Sequence, residues 1–581
     1  MSRKGRNNMK KWIIRISLTI LILIITATAV IGIGLYLKFF SKPETIVKNL
    51  KPLLLYNGNI ITMDEKKPKA SAVLMKGDNI VFVGSNDDAK KLAEAGTVQI
   101  DLKGKTLIPG FNDNHTHSLA AGTFKSELML WNKSCGEIAD MVKKEASTKK
   151  KGETICGNLW DYTTCPNPSK ELLDKAAPDN PVFLVQFSGH ATWVNSAQLA
   201  VMKINRTTPD PQGGKIMKNE AGDPTGILRD TAMGSWNDDK YIGILLDKTA
   251  HAKNMQTILK LYAEAGITSV QDNTWEPVTV RYLQELAAAG NAGCRFTCWP
   301  LGGTGLQTAF DLLTSFNKND SWVRYDIVKY FEDGAFSTRT AWLNEPYAGE
   351  PDNYGKPRHE QKELDAIMLD AAKNNRRLAI HAIGDRAVGA VLDAIEKAAV
   401  IYPRIKELRF RIEHIQLITT ADIIRMKKLG VVAAVQPFAL AYPVKDVSLI
   451  GRERASKAYP YKSLLAAGIP LSLGSDAPVE VDFEPLLGIH YAVNRTGKVG
   501  EPALNKAEGL TPREALYAYT MGSAYVENME KRKGSISEGK LADMVVLSDD
   551  ILSIPKVNIK NTKVLMTISG GSIVYGSASS L

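Results

Sequence analysis

The sequence predicts an α/β protein that combines a (β/α)8 TIM-like barrel, a small β-sandwich domain and one N-terminal transmembrane helix. Three observations support this prediction. Short apolar runs alternate with helical patterns in the middle of the chain, Val/Ile-rich segments with tight turns occupy both ends, and an uncharged apolar stretch lies near the N-terminus. A chain of 581 residues is long enough for a large barrel and a second domain.

The N-terminal segment carries most of the positive charge of the chain. Residues 1–51 hold ten Lys or Arg side chains and one acidic side chain, so they contribute +9 of the net charge of +11. The +2 that remains does not indicate a nucleic-acid-binding surface on the rest of the protein. No nucleic-acid partner is therefore expected.

Residues 16–37 contain no charged side chain, and a helix of this length crosses a hydrocarbon core of about 30 Å. Residues 1–15 form a predicted cytoplasmic basic tail, because six basic residues precede the apolar run and four follow it. The prediction is a single-pass anchor in the cell membrane with the main body outside the cytoplasm. A cleaved signal peptide, with Ala27–Ala29 as its cleavage site, is the alternative.

Two β-rich segments, 52–108 and 534–581, flank the middle of the chain. Turn sequences such as NGN and GDN separate their Val/Ile-rich runs, and the two segments are predicted to fold together as the β-sandwich domain. Residues 109–533 form the predicted barrel, which is interrupted by an insertion at about 118–266. The eight predicted barrel strands are the LIPGF run that leads to His115 and residues 267–272, 295–300, 325–334, 377–385, 408–414, 431–437 and 469–476.

The five cysteines do not suggest a disulfide framework. Their number is odd and no CxxC motif is present, so a zinc–thiolate site is not expected either. Cys294 and Cys298 lie four residues apart on a predicted strand, which separates them by about 13 Å. That distance is too long for a disulfide bond.

Two histidines in the segment GFNDNHTHS, His115 and His117, lie one residue apart at the end of the first predicted barrel strand. Side chains two apart on a strand point the same way, so both imidazoles are expected to face the barrel mouth. Other predicted strands also end on candidate ligands, which are Lys329 on the fourth, His381 on the fifth, His414 on the sixth and Asp476 on the eighth. A structural role accounts for any single histidine, but the combination at the catalytic ends of barrel strands predicts a metal site.

Four histidines and one aspartate exceed the three protein ligands of a usual catalytic zinc site. Two divalent ions about 3.5–4 Å apart are therefore considered, and such a pair needs a bridging ligand. Lys329 is the candidate bridge, because the carbamate that a lysine forms with carbon dioxide offers two anionic oxygens. The alternative is an ordinary ion pair between Lys329 and Glu332 or Asp333.

The motifs PGFNDNHTHS, IHAIGDRAV, RIEHIQ, GSDAPV and GKLADMVVLSDD occur in this order along the chain. They resemble the amidohydrolase superfamily in its two-metal form, in the branch that includes N-substituted formamide deformylase (amidohydrolase family 3). The resemblance implies that His115, His117 and Asp476 hold one ion, that His381 and His414 hold the other, and that carbamylated Lys329 bridges them. Zinc is the first expectation for both ions.

The resemblance also implies a metal-dependent hydrolase that cleaves a non-peptide carbon–nitrogen bond of a small molecule, such as an amide, N-formyl or cyclic amide bond. A metal-activated hydroxide would attack, and Asp476 would act as general base and then general acid. His190 is a candidate contact to the substrate carbonyl, Trp160 a candidate pocket residue and Arg339 a candidate contact to an anionic group. Each of these three also has a structural interpretation, and a homodimer stays open.

Two other functions remain as alternatives. A deaminase of the same superfamily with one metal ion normally has an additional glutamate near the histidine of the fifth strand, whereas IHAIGD offers only Asp385. A non-catalytic surface binding protein on the same barrel tends to lose ligands, whereas all six candidate positions are filled here. Both alternatives are therefore disfavoured by the sequence.

Overall fold

The computed structural model describes residues 51–186, 191–211, 214–234, 247–273, 276–302, 320–498, 500–501 and 504–581. The predicted cytoplasmic tail, the predicted transmembrane helix and His190 lie outside these ranges. Among the helices within these ranges, none has both the length and the apolar character to cross a membrane.

β-Strands occur along the whole described chain. The N-terminal segment contains β1 (Leu53–Tyr56), β2 (Asn59–Ile61), β3 (Lys69–Ala70), β4 (Ala72–Lys76), β5 (Asn79–Gly84), β6 (Val98–Asp101) and β7 (Thr106–Pro109). They are followed by β8 (Phe111–Thr116), and then by β9 (Leu128–Met129), β10 (Ile155–Trp160), β11 (Val182–Gln186), β12 (Ala191–Val194), β13 (Gly214–Lys218) and β14 (Pro224–Asp230). The rest of the chain contains β15 (Ile267–Asp272), β16 (Arg295–Cys298), β17 (Val323–Tyr325), β18 (Ile327–Phe331), β19 (Arg377–Ala382), β20 (Arg411–His414), β21 (Val432–Val435), β22 (Leu471–Leu473), β23 (Met544–Leu547), β24 (Val564–Ser569) and β25 (Ser572–Gly576).

α-Helices connect most of these strands. The first half of the chain contains α1 (Asn86–Leu92), α2 (Ser118–Lys125), α3 (Cys135–Ala146), α4 (Lys170–Ala176), α5 (Ser196–Val201), α6 (Lys248–Glu264) and α7 (Pro277–Ala288). The second half contains α8 (Gln361–Lys373), α9 (Asp385–Ile401), α10 (Thr420–Leu429), α11 (Pro443–Ile450), α12 (Arg452–Ala455), α13 (Tyr461–Ala466), α14 (Pro485–Asn494), α15 (Pro512–Tyr517) and α16 (Ser523–Val526).

Strands β8 and β15 to β22 run parallel and form the wall of the barrel. They are ordered β17-β16-β15-β8 and β18-β19-β20-β21-β22, and β17 and β18 are successive pieces of the fourth strand position. Parallel bridges between Thr116 and Ala477 and between Leu301 and Lys329 join the two arcs. The predicted TIM-like barrel is therefore confirmed.

The barrel helices bury one apolar face against the strands. Helix α9 buries Val388, Val391, Leu392 and Ile395, whose spacing of three and four residues places them on one side of the helix. Burial of each such side chain stabilises the fold by about 1.5–3 kcal/mol relative to exposure. The strands beneath are buried on both faces, as parallel sheets usually are.

Strands from both ends of the chain share a six-stranded sheet in the order β25-β24-β23-β7-β2-β3. A second sheet, in the order β5-β4-β1-β6, is formed by N-terminal strands alone. Apolar side chains from both segments, such as Leu55, Val73, Met544 and Val546, belong to one buried cluster. This arrangement ties the N-terminal segment to the last part of the chain.

The LIPGF run forms two strands, although the sequence predicts one. Residues 106–109 belong to the shared sheet as β7, and residues 111–116 belong to the barrel as β8. The break falls at Gly110, where a Cβ atom would lie 2.1 Å from the Thr268 hydroxyl oxygen. Only glycine permits this close approach of the backbone to its neighbour.

The insertion between β8 and β15 carries its own sheet, in the order β13-β14-β12-β11-β10-β9. Cys135 at the start of α3 and Cys165 form a disulfide bond there, with Cα atoms 4.7 Å apart. The sequence suggested no disulfide framework and did not predict this bond. The two cysteines are separated by 30 residues and meet only through the packing of the insertion, so their sequence spacing gave no signal.

Candidate active site

The candidate ligands converge at the C-terminal ends of the barrel strands. They line one cavity of about 280 Å³, and they are His115, His117, Lys329, His381, His414 and Asp476. Two of them have positive φ angles, 76° at His414 and 64° at Asp476, which are uncommon for residues other than glycine. Such backbone strain is typically retained where a side chain must point in one particular direction.

Three of these side chains are close enough to share one metal ion. The Asp476 Oδ1 atom lies 3.3 Å from His117 Nε2 and 3.6 Å from His115 Nε2. One ligand atom from each of the three residues lies within 4.8 Å of the other two. Two imidazoles and a carboxylate are ligands that zinc and similar divalent ions prefer. The residues present therefore fit a divalent ion.

Buried charged groups contact the ring nitrogen of His115 that faces away from the cavity. His115 Nδ1 lies 2.7 Å from Glu413 Oε2, and Arg411 Nε donates to Glu413 Oε1 at 2.5 Å. Burial alone would raise the pKa of Glu413, but Arg411, His115 and Lys329 together outweigh burial and lower it. The ionised Glu413 therefore fixes a proton on Nδ1 and leaves the Nε2 lone pair of His115 facing the cavity.

The other two strand-end histidines are also held by one ring nitrogen. His381 Nε2 donates to the Gly334 carbonyl at 3.0 Å, and His414 Nδ1 lies 2.7 Å from Gln436 Oε1. Their rings lie 4.5 Å apart, centroid to centroid. The nitrogens that remain free are Nδ1 of His381 and Nε2 of His414. Metal-binding histidines commonly have such outer partners.

Burial keeps the imidazoles neutral, which is the form that binds metal. It lowers the pKa of His115 to about 4 and that of His381 to about 3. Burial also lowers the pKa of His414. At Asp476, burial would raise the pKa, but the neighbouring His115 and His117 outweigh it and lower the pKa. Neutral donors and an ionised carboxylate are therefore available at neutral pH.

Lys329 is fully buried among these ligands. Its Nζ atom lies 3.3 Å from His115 Nε2 and 4.9 Å from the centre of the Phe331 ring. Within the described ranges, no carboxylate lies within 4 Å of Nζ, so the predicted alternative of an ion pair with Glu332 or Asp333 is not observed. Burial lowers the pKa of Lys329 to about 8.

Two of the remaining predicted site residues, Trp160 and Arg339, do not line this cavity. Trp160 is fully buried in the insertion, where its Nε1 donates to the Leu184 carbonyl at 2.9 Å. Its placement among the substrate-binding residues is therefore not supported. Arg339 forms an ion pair with Glu350, which is its structural interpretation. His190 lies outside the described residues.

The outer partners Arg411, Glu413 and Gln436 were not predicted. One signal for two of them was available in RIEHIQ. Arg411 and Glu413 are two residues apart on a predicted strand, so their side chains point to the same side of it. Two opposite charges that point together into the interior of a barrel are expected to form an ion pair, because an unpaired buried charge is costly.

A parallel barrel with histidines and a carboxylate at its catalytic end defines a metal-dependent hydrolase. Comparison with known proteins makes the assignment more specific. The sequence pattern of the amidohydrolase family (Amidohydro_3) matches residues 99–575. The chain belongs to this family, and it is an enzyme that hydrolyses carbon–nitrogen bonds other than peptide bonds.

Individual relatives extend over most of the chain. The putative amidohydrolase YtcJ of Bacillus subtilis (strain 168) is 31% identical over 90% of this chain and 98% of its own length. N-substituted formamide deformylase of Arthrobacter pascens is 29% identical over 90% of this chain and 98% of its own length. The crystal structure of an uncharacterized metal-dependent hydrolase from Pyrococcus horikoshii OT3 has a TM-score of 0.73 and 27% identity, and covers 87% of this chain and 99% of that one.

Proposed function

We propose that the protein hydrolyses an amide or N-formyl bond of a small molecule at the cavity lined by the six candidate ligands. The convergence of His115, His117 and Asp476 on a space that fits one divalent ion is the observation that carries this proposal. When bound, the metal supplies a Lewis acid that polarises the carbonyl group and lowers the pKa of water. Similarity to N-substituted formamide deformylase makes N-formyl amines the first candidate substrates.

Asp476 is the proposed proton carrier of the reaction. Its carboxylate is ionised, and its Oδ2 atom lies 3.9 Å from His414 Nδ1 while Oδ1 faces His117. In the proposed mechanism, Asp476 accepts a proton from the attacking water and then delivers it to the leaving nitrogen. The leaving amine would otherwise depart as an unstable anion.

Lys329 is the proposed bridge between two divalent ions, in the form of its carbamate. A lysine reacts with carbon dioxide as the neutral amine, and the lowered pKa of Lys329 favours that form. Nζ lies beside His115 and lines the same cavity as His381 and His414. The two groups of ligands would then hold one ion each, with zinc as the first candidate.

The function is tested by assaying metal-loaded enzyme with N-formyl amines, N-acetyl amines and cyclic amides. Release of the amine is expected. A chelator should abolish this activity, and added zinc should restore it. Asp476→Asn should abolish turnover, and Asp549→Asn, at an exposed carboxylate, is the matched control. Failure of the metal-loaded enzyme to hydrolyse any compound of the panel would contradict the proposed reaction.

We also propose that residues 16–37 anchor the enzyme in the cell membrane, with its catalytic domain outside the cytoplasm. Support comes from the uncharged run and from the excess of basic residues before it. The disulfide bond between Cys135 and Cys165 adds support, because disulfide bonds persist mainly in oxidising compartments. A homodimer stays a prediction.

A further inference from the structure

A second cavity of about 790 Å³ lies directly outside the cavity of the candidate ligands. We call the cavity of the ligands the inner chamber and this one the outer chamber. Five residues line both, and they are Ser337, Tyr442, Lys445, Val479 and Glu480. The two chambers are therefore adjacent, and we call the boundary that these five residues form the neck.

The outer chamber lies between the insertion and the barrel. Trp131, Leu159 and Val185 contribute the wall on the insertion side. Phe438 and Val444 belong to the wall on the barrel side, after the end of β21 and at the start of α11. A molecule that reaches the inner chamber through the neck would therefore have its outer part enclosed between these two walls.

Large apolar side chains are left in contact with water in this chamber. Trp131 is 44% exposed, Val444 is 62% exposed and Val479 is 71% exposed. A single exposed valine is ordinary on a protein surface. Three such side chains that line one chamber beside a catalytic cavity are typical of a surface that an apolar ligand covers.

The backbone at Leu159 provides a second, independent observation. Leu159 has a φ angle of 71°, in the left-handed region, and the pairing of β10 with β11 shifts register between Asn158 and Trp160. This bulge interrupts the alternation of side chains along β10. Trp160 enters the core of the insertion while Leu159 lines the outer chamber. The wall of the outer chamber therefore contains a bulky residue, Leu159, in a strained backbone conformation.

Charge at the neck comes mainly from Lys445. Burial raises the pKa of Glu480, the other ionisable chain of opposite sign at the neck, to about 8, so its carboxyl group is mostly protonated at neutral pH. In the outer chamber, Lys498 Nζ lies 2.6 Å from Asp482 Oδ2, so these two charges cancel. An apolar substituent needs no counter-charge and can be covered by the apolar side chains beyond the neck.

We propose that the outer chamber binds an extended apolar substituent of the substrate. The substrate is then an amide with a small group on one side of the scissile bond, held in the inner chamber, and a long alkyl or aryl group on the other side. This inference rests on the proposed function, and it adds the chemical class of the substrate to it.

The test is a series of amides whose linear alkyl group grows from ethyl to octyl. One arm places the alkyl group on the nitrogen of formamides, and the other places it on the acyl side of primary amides. In the wild-type enzyme, kcat/KM is expected to rise by up to about fourfold for each methylene that the chamber buries. The arm that shows this rise identifies the side of the bond that faces the outer chamber.

Val444→Asp should flatten the dependence of kcat/KM on chain length, because a carboxylate in the wall disfavours the alkyl group. Val444→Leu should preserve the dependence. Val557→Asp is the matched control, since Val557 is 60% exposed and does not line either chamber. A flat dependence in the wild-type enzyme, or an equal slope in Val444→Asp, would overturn the proposal.

Binding by calorimetry separates this proposal from the proposed reaction. Octylformamide and octanamide are titrated into metal-loaded enzyme and compared with their ethyl analogues. Tighter binding of an octyl compound to the wild type than to Val444→Asp supports the outer chamber even if no amide is hydrolysed. Equal affinities for octyl and ethyl compounds would overturn it, even if hydrolysis is observed.

Discussion

At the scale of single residues, Lys329 decides between one metal ion and two. Lys329→Ala should remove the bridge, lower the metal content from about two ions to about one and abolish turnover. Lys329→Arg keeps the positive charge but cannot form a carbamate, so it should be equally inactive. Elemental analysis and turnover with added bicarbonate measure both effects. An active Lys329→Arg enzyme with full metal content would show that no carbamate is needed and would favour a single ion.

If Lys329 forms the proposed carbamate, its pKa should set the pH at which the site assembles. With a pKa of about 8, only about one tenth of the Lys329 amine is neutral at pH 7, and about nine tenths is neutral at pH 9. At constant dissolved carbon dioxide, the rate at which metal-free enzyme gains activity should rise across this range and then level off. An ordinary exposed lysine would show the same rise about two pH units higher. The rate of reactivation after addition of zinc is the measurement.

Glu413 is the second residue whose role can be tested, because it contacts the candidate ligand His115 without lining the cavity itself. Glu413→Gln keeps the shape of the side chain but removes the charge that fixes the proton on His115 Nδ1. Zinc affinity should fall by about 10–100-fold, as is usual when such an outer partner is lost. Competition with a chelator measures this change, and Glu407→Gln, on the surface, is the control. If the folded variant bound zinc with unchanged affinity, the role of Glu413 would be purely structural.

The candidate ligands could be predicted because histidines that recur at the catalytic ends of barrel strands are typical of a metal site. Gln436 had no comparable signal, since it follows the end of β21 and meets His414, at the end of β20, only because these two strands pair. Trp160 was a candidate pocket residue with a place in the core as its alternative, and the bulge at Leu159 turns its side chain into the insertion. Contacts between strands and local changes of register are not encoded in spacing along the chain.

At the scale of elements, the insertion is held by the disulfide bond between Cys135 and Cys165. The loop that it closes spans 30 residues, for which the chain-entropy treatment gives about 3–4 kcal/mol of stabilisation. Replacement of both cysteines by serine should therefore make the insertion unfold at lower urea concentration, as measured by limited proteolysis. Cys156→Ser, at a cysteine of β10 that is not part of this bond, is the control. Equal rates of cleavage with and without the bond would contradict this prediction.

The barrel strands were predictable because each is a short buried run between helical patterns. The boundary at Gly110 was not, because the apolar run LIPGF continues from β7 into the first residue of β8, and the two strands have different partners. The sheet of the insertion was also missed, since its strands pair with one another and not with the barrel strands. Local patterns therefore indicated the elements, and tertiary partners decided how they were divided.

At the scale of the whole molecule, the catalytic ligands and both sheets of the terminal segments lie within residues 53–576. Deletion of residues 1–40 should therefore release a folded enzyme that retains its metal and remains in solution after membranes are sedimented. Protease added to intact cells should digest the barrel of the full-length protein if the proposed orientation is correct. Complete protection until the cells are lysed would contradict the proposed orientation.

The sheet that joins both chain ends also fixes the order of events during synthesis. Strands β2, β3 and β7 are made early, yet β23, which pairs with β7, is translated more than 400 residues later. Until then β7 lacks this partner, and exposed strand edges invite aggregation and proteolysis. A chain that stops between residues 477 and 543 would have every candidate ligand but an unpaired β7 edge. Such a truncated chain should therefore aggregate or be degraded more readily than a chain that includes β23.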